Sequence, residues 1–321
     1  MSAPTLVVLR ALGLGDFLAG VPAYRALARK FPEHRRLLAA PRALHALLPL
    51  LGDTFAAGVA AEPLAELPGS ARDAAIGVNL HGRGPQSHRV LLAARAQRLI
   101  AFAHPHIAQS SSGARWFAHE HEVARWCRML GHAGIPADPA ALVIGVPPVE
   151  VPAALRGATL VHPGAASVAR RWPAASWATV ARACEARGER VIVTGAAYER
   201  GLAALVTRRA ALPARRNIAG RTSLVELAAL VAQARRLICG DTGIAHLASA
   251  YAVPSIVLFG PTAPAEWGPP ARERHRVLWA GRGGDPHGDV SDPGLLAISP
   301  ADVIAEVERL ATSAEGPVRG S

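Results

Sequence analysis

Lysine is almost missing from this chain. Lys30 is the only one in 321 residues, so the formal charge of +11 rests almost wholly on arginine. A basic balance of that kind admits nucleic acid, anionic membrane or acidic small molecules as partners. Aromatic residues are scarce as well, at 5%. The arginines are dispersed in short clusters such as Arg35-Arg36, Arg208-Arg209 and Arg215-Arg216, without the aromatic interleaving of single-strand binders, so nucleic acid is not expected as a partner. High Ala, Arg, Gly and Pro with so little Lys reads as a GC-rich coding sequence. Cysteine occurs three times, at Cys127, Cys184 and Cys239, with no C-x-x-C pair. Neither a zinc knuckle nor a disulfide framework is indicated, and a reducing cytosol is the simplest home. The opening MSAPTLVVLRALGLGD lacks the basic start and unbroken apolar core of a signal peptide. No uncharged apolar run reaches the roughly 18 residues of a spanning helix. The expectation is a cytoplasmic protein, with peripheral contact at the inner face of the membrane left open.

Half the residues are apolar, so burial is not limiting, and the length suggests two domains. Strand-then-helix units recur. Thr5 to Leu9 is a short apolar strand that ends in the loop Gly13-Leu14-Gly15-Asp16. Phe17 to Lys30 has helical spacing, with Pro22 expected near a first turn. Residues 75 to 80 read as a strand, and HEHEVARWCRMLGH, 119 to 132, as an amphipathic helix closed by glycine. Three prolines in IGVPPVEVP mark an extended linker, which places the expected domains at 1–150 and 151–321. After it the alternation restarts: strands at 158–162, 190–194, 236–239 and 254–259, helices at 174–187, 198–210, 223–234 and 243–251. Residues 280–294 read as loop and 300–312 as a last helix, with a frayed tail to Ser321. The fold class is α/β, a parallel, helix-flanked sheet in each half.

Ligands of parallel sheets bind beyond the carboxyl ends of strands. Asp241-Thr242-Gly243 stands at such an end, with His246 one turn into the next helix. A helix N-terminus there directs free N–H groups at an anion, and Thr242 and His246 could add donors. Alternatively Asp241 or Thr242 merely caps the helix and His246 is a core residue. LVHPGAASVARRWPAASW, 160 to 177, places Gly164, Ser167 and the guanidinium forks of Arg170 and Arg171 after another strand. Those arginines could equally be solvated. VIVTGAAYERG ends a strand at Thr194-Gly195 and puts Glu199 at the next helix, where it could hold ribose hydroxyls or simply favour the helix dipole. In the other half, Gly15 and Asp16 follow the first strand. The full G-x-G-x-x-G pattern is absent there, and Asp16, in a flexible turn, could act as a general base or as an N-cap. Asp285, His287, Asp289 and Asp292 are spaced loosely like metal ligands but match no standard pattern, so no metal site is assigned.

Together these stretches resemble the heptosyltransferase family, glycosyltransferase family 9. LVVLRALGLGDFLAGVPAYRALARKFP, HPGAASVARRWPAASWATVA and VIVTGAAYERG carry part of the resemblance, and CGDTGIAHLASAYAVPSIVLFGPT is the most specific. The resemblance runs from residue 5 to about 312. It implies a GT-B architecture of two Rossmann-like domains with parallel sheets facing a central cleft, the first binding the acceptor and the second the donor. The implied donor is a nucleotide-diphosphate sugar, usually ADP-heptose, with inversion at the anomeric carbon and no required cofactor or metal. Asp16 then matches the base that deprotonates the acceptor hydroxyl. Arg170 stands where relatives usually have Lys near the diphosphate, and Glu199 matches the acid near the nucleoside. Asp241, Thr242, Gly243 and His246 match the donor loop, with Gly15, Gly164, Ser167 and Gly195 in the accompanying glycine-rich turns. Loop 280–294 lacks the cysteines common in many relatives. The arginine-heavy composition fits an actinomycete-like source and weakens lipopolysaccharide as the acceptor, leaving another glycan, a glycolipid or a metabolite. Rival readings are a transferase of UDP-, GDP- or dTDP-sugars, an epimerase, or a non-catalytic nucleotide-sugar binder. The retained Asp16 argues against the last.

Overall fold

The computed structural model describes residues 3–314. The tail beyond them, expected to fray, lies outside the described residues. The chain divides into two compact units between Gly145 and Val146.

Unit 1 is built from β1 (Thr5–Leu9), α1 (Leu14–Ala19), α2 (Val21–Lys30), β2 (Arg35–Ala40), β3 (Ala57–Ala60), β4 (Ile76–Asn79), α3 (Gln86–Ala93), β5 (Arg98–Ile100) and α4 (Glu122–His132). Its five strands are all parallel, in the order β3-β2-β1-β4-β5. β1 is central and buried from Leu6 to Leu9, which explains a run of apolar residues with no polar alternation. The order reverses between β1 and β4, where Leu9 pairs with Asn79. That reversal is the switch point at which open α/β sheets bind ligands.

Unit 2 contains β6 (Thr159–His162), α5 (Ala174–Ala186), β7 (Val191–Val193), α6 (Arg200–Arg209), α7 (Leu224–Ala232), β8 (Arg236–Gly240), α8 (Gly243–Ala250), β9 (Ser255–Phe259), α9 (Pro264–Trp267), β10 (His275–Trp279), α10 (Pro293–Leu296) and α11 (Pro300–Ala314). Its sheet, also all parallel, runs β10-β9-β8-β6-β7. The switch point falls between β6 and β8, where His162 pairs with Cys239. Trp172 and Trp177 meet edge to face at 5.0 Å in the core, and the Trp172 indole N–H donates to the carbonyl of Ile298. Cys127, Cys184 and Cys239 are all buried, and burial pushes the first two thiols up to about 12.

The structure corrects the reading of 13–30. Leu14 to Asp16 are the first turn of a helix rather than a flexible turn, and the helical stretch breaks at Gly20. Pro22 sits in the first turn of α2, where its missing N–H is harmless. Gly20 lies against the Tyr24 ring; a Cβ there would come within 2.4 Å of it. β2, β3, β5, β10 and α3 had no counterpart in the expected elements, and 280–294 includes the start of α10.

Much of the arginine charge is structural. Arg36, for example, donates to the carbonyls of Phe31, Pro32, His34, Asp53 and Thr54. Among the described residues, no helix is long and apolar enough to cross a membrane.

Candidate active site

The candidate residues fall in two groups, one per unit, at or near the carboxyl ends of strands.

In unit 1, β1 passes directly into Arg10, whose side chain is fully buried. Its guanidinium donates to Glu122 Oε1 at 2.9 Å and to the carbonyls of Leu80 and Asp16, and lies 3.6 Å from Asp16 Oδ1. Trp126 stands beneath it, the guanidinium carbon 5.1 Å from the ring centre, a cation–π contact. Glu122 opens α4 and also accepts from the Trp126 indole N–H at 2.7 Å and from Arg125. Asp16 is the third residue of α1, and the nearby backbone of Gly13 and of Asp16 itself helps to hold its carboxyl pKa down. The N-cap of α1 is Gly13, so Asp16 is not the cap, and its side chain is 26% exposed. Burial raises its pKa above 3.8, Arg10 opposes that and Glu122 adds to it. Asn79, at the end of β4, accepts from the His81 backbone N–H and donates to Ser87 and His88, which fixes the next turn. His81 is pushed down to about 4, first by burial and then by the charge of Arg10. Arg10, Glu122, Trp126 and His81 were all missed from sequence. The available signal was Arg10, a charge set immediately after the apolar run Leu6 to Leu9.

In unit 2, Gly164 follows β6, and the buried Glu199 carboxyl packs directly on it. A Cβ at Gly164 would come within 2.1 Å of that carboxyl, which is why glycine is needed. Glu199 accepts from the Ala196 N–H at 2.7 Å and lies 3.6 Å from His162 Nε2. His162 Nδ1 is 3.0 Å from the Thr194 hydroxyl, and burial lowers the pKa of the imidazole although Glu199 opposes this. Gly195 lies against the same glutamate. Tyr198, just before it, is 71% exposed.

Arg170 and Asp241 are brought together, with Nη1 3.8 Å from Oδ2. The Asp241 carboxyl also takes a hydrogen bond from Thr262, and burial raises its pKa against the pull of both. Asp241 thus orients Arg170 and Thr262. Thr242 is the N-cap residue of α8, with extended backbone and no capping bond from its side chain, so the capping alternative does not describe its hydroxyl. Gly243 opens α8, and His246, one turn in, sets its ring at 80° to Trp267, 6.0 Å away. Ser167 is engaged elsewhere: its hydroxyl donates to the Gly288 carbonyl and accepts from the Ala169 N–H, so it braces loop 280–294. In that loop, Asp285 accepts from the His287 N–H and Asp292 caps α10.

Each unit is a five-stranded, all-parallel α/β sheet with charged and glycine-rich loops at its switch point, the architecture of GT-B glycosyltransferases. The family model of glycosyltransferase family 9 (heptosyltransferase) matches residues 119–291, more than half of the chain. The chain belongs to that family and is a glycosyltransferase. No curated protein matches it in sequence. Among solved structures, it is similar to E. coli ADP-heptose lipopolysaccharide heptosyltransferase II, at 21% identity and a TM-score of 0.76, over 97% of this chain and 100% of that one. It is also similar to the family 9 glycosyltransferase of Veillonella parvula, at 18% identity and a TM-score of 0.76, over 98% and 99%. E. coli heptosyltransferase WaaC with ADP follows at 15% and 0.69, over 95% and 99%.

Proposed function

We propose that this chain is an inverting transferase that moves a heptose from ADP-heptose to a hydroxyl of a glycan, glycolipid or metabolite acceptor. In this reading unit 1 binds the acceptor and unit 2 the donor. The observation that carries it is the Asp241-Thr242-Gly243 loop at the unit 2 switch point, beside Arg170 and inside the family match. The N–H groups opening α8, the Thr242 hydroxyl and Arg170 converge on the chemistry of a diphosphate. His246 completes the loop on the next turn. Glu199, a buried carboxylate with a single backbone donor, suits ribose hydroxyls.

The acceptor oxygen bonds to the anomeric carbon from the face opposite the leaving group, and its proton passes to Asp16. The bond from the anomeric carbon to the diphosphate oxygen breaks, and the charge collects on ADP. Fixed donors aimed at that growing charge are typically the largest catalytic contribution. Asp16 is suited to its part because burial keeps its proton affinity above that of an ordinary aspartate while an edge stays exposed. Arg10 is too buried to take the acceptor itself and serves the carboxylate.

Calorimetric titration with ADP, UDP, GDP and dTDP, each with and without magnesium, tests the donor half. ADP alone should bind tightly, with the same affinity in EDTA. Preference for another nucleotide would remove the heptose assignment and leave the glycosyltransferase. Binding of none would remove the donor role of the 241–246 loop.

A further inference from the structure

We propose that Glu122 is a positioning residue for Asp16: it anchors and offsets the charge of the Arg10 guanidinium, so that the Asp16 carboxylate remains a free proton acceptor rather than the counter-ion of a buried arginine. The functional value of this rests on the reading of Asp16 as the base.

Two carboxylates share one cation here, and they share it unequally. Glu122 meets Arg10 at 2.9 Å, inside hydrogen-bond range, whereas Asp16 Oδ1 stands off at 3.6 Å. Glu122 is fixed at both oxygens, one facing Arg10 and the Trp126 indole N–H, the other facing Arg125. Asp16 has no such clamp, only the nearby backbone, and it alone of the three is partly open to solvent. A buried guanidinium without a counter-ion is costly. Take the Glu122 charge away, and Arg10 has one carboxylate left within reach. Asp16 would then close on it as an ordinary ion pair, less basic and turned inward.

Every charged or titratable group facing Asp16 bears on this balance. Arg10 follows β1, Glu122 and behind it Arg125 come from α4, and Tyr24 comes from α2. His81, in the turn after β4, faces Arg10. Burial raises the Tyr24 phenol, which stays neutral, and lowers His81, which is neutral near pH 7. Arg10 and Glu122 are therefore the two fixed charges that decide the state of Asp16, and they act in opposite directions.

The test reads Asp16 directly and needs no substrate. The full chain is labelled with 13C at aspartate carboxyl carbons, and the Asp16 signal is assigned by its loss in Asp16→Asn. Its titration midpoint is then measured in the wild type, Glu122→Gln and Glu122→Asp, with the amide spectrum checking the fold. Glu122→Gln should lower the midpoint by about one pH unit, a tenfold loss of proton affinity. Glu122→Asp, whose shorter arm reaches Arg10 less well, should fall between the two. An unmoved midpoint in folded Glu122→Gln overturns the proposal. Should that variant not fold, Glu122→Asp decides: a midpoint below the wild type supports the proposal, and one equal to it overturns it. A purely structural role for Glu122 would leave the Asp16 midpoint in place. The role of Asp16 in transfer is tested separately, by Asp16→Ala, so the two readings fail independently.

Discussion

Each unit buries an arginine against a glutamate, and the two pairs do different work. In unit 2, Arg236 opens β8 and meets Glu189 at 3.1 Å, both almost fully buried. Glu189 also accepts from the Thr159 hydroxyl, and Arg236 donates to the Val307 carbonyl of α11. That network lies at the amino ends of its strands and ties the last helix to the sheet. In unit 1, Arg10 and Glu122 lie at the carboxyl end of β1, and the same chemistry reaches a third residue, Asp16, that solvent can touch. Toward solvent, Glu189 faces a second arginine, Arg235, at 3.8 Å, whereas Arg10 faces a carboxylate, Asp16, at 3.6 Å. The end of the strand, rather than the residue types, separates a brace from part of the proposed site.

The sharpest way to break the comparison is Asp16→Ala. Transfer should fall by about 10²–10⁴-fold, the usual worth of a positioned base, while ADP binding by calorimetry stays unchanged. Equal loss of both would remove Asp16 from the role of base. Glu189→Ala strands a buried arginine and should cost about 3–5 kcal/mol of stability in urea unfolding. Its folded fraction should still bind ADP, which would set this pair apart from the proposed donor site. Gly164→Ala sharpens the contrast inside unit 2. It pushes a methyl into the Glu199 carboxyl and should weaken ADP binding along with a loss of about 1–3 kcal/mol, the usual penalty of overpacking.

A smaller effect has a sign that can be worked out. The folded pKa of Asp16 is raised, so its contribution to stability is fully present below 3.8 and is lost as pH rises through the folded value. Asp16→Asn should therefore melt higher than the wild type at pH 7, by about 2–4 °C for each kcal/mol recovered, with the gap closing in acid below 3.8. Glu122 runs the other way. Its folded pKa is lowered, so its contribution is present above 4.5 and lost as pH falls through the folded value. Melting scans of Asp16→Asn and Glu122→Gln across pH should thus diverge at neutrality. Smallest of all, Ser223→Ala removes the capping box of α7 and should cost about 1 kcal/mol in thermal unfolding without touching ADP binding.

The central strands were legible because burial on both faces demands unbroken apolar runs: TLVVL, RLICG and SIVLF announce themselves. The edge strands AGVA and HRVLW did not, being short or half exposed, and RLI is only three residues long. RRLLAA begins with two arginines that hide its strand character. On the candidate site, glycines and charges after strands pointed to the loops at 13–16, 162–170, 195–199 and 240–246. What they touch was not legible. Glu122 is 112 residues from Arg10, and nothing local joins them. Ser167 looked like a loop hydroxyl open to a ligand, and only the fold of 280–294 shows it engaged with Gly288.

The three sealed thiols have a use at the bench. With Cys127, Cys184 and Cys239 all buried, a maleimide dye added to the native protein should find no ready target. A single cysteine introduced at the exposed Tyr198 would then label cleanly, on the loop that carries Glu199. Its fluorescence would follow nucleotide arrival in real time, from a chain that needs no cysteine removed beforehand.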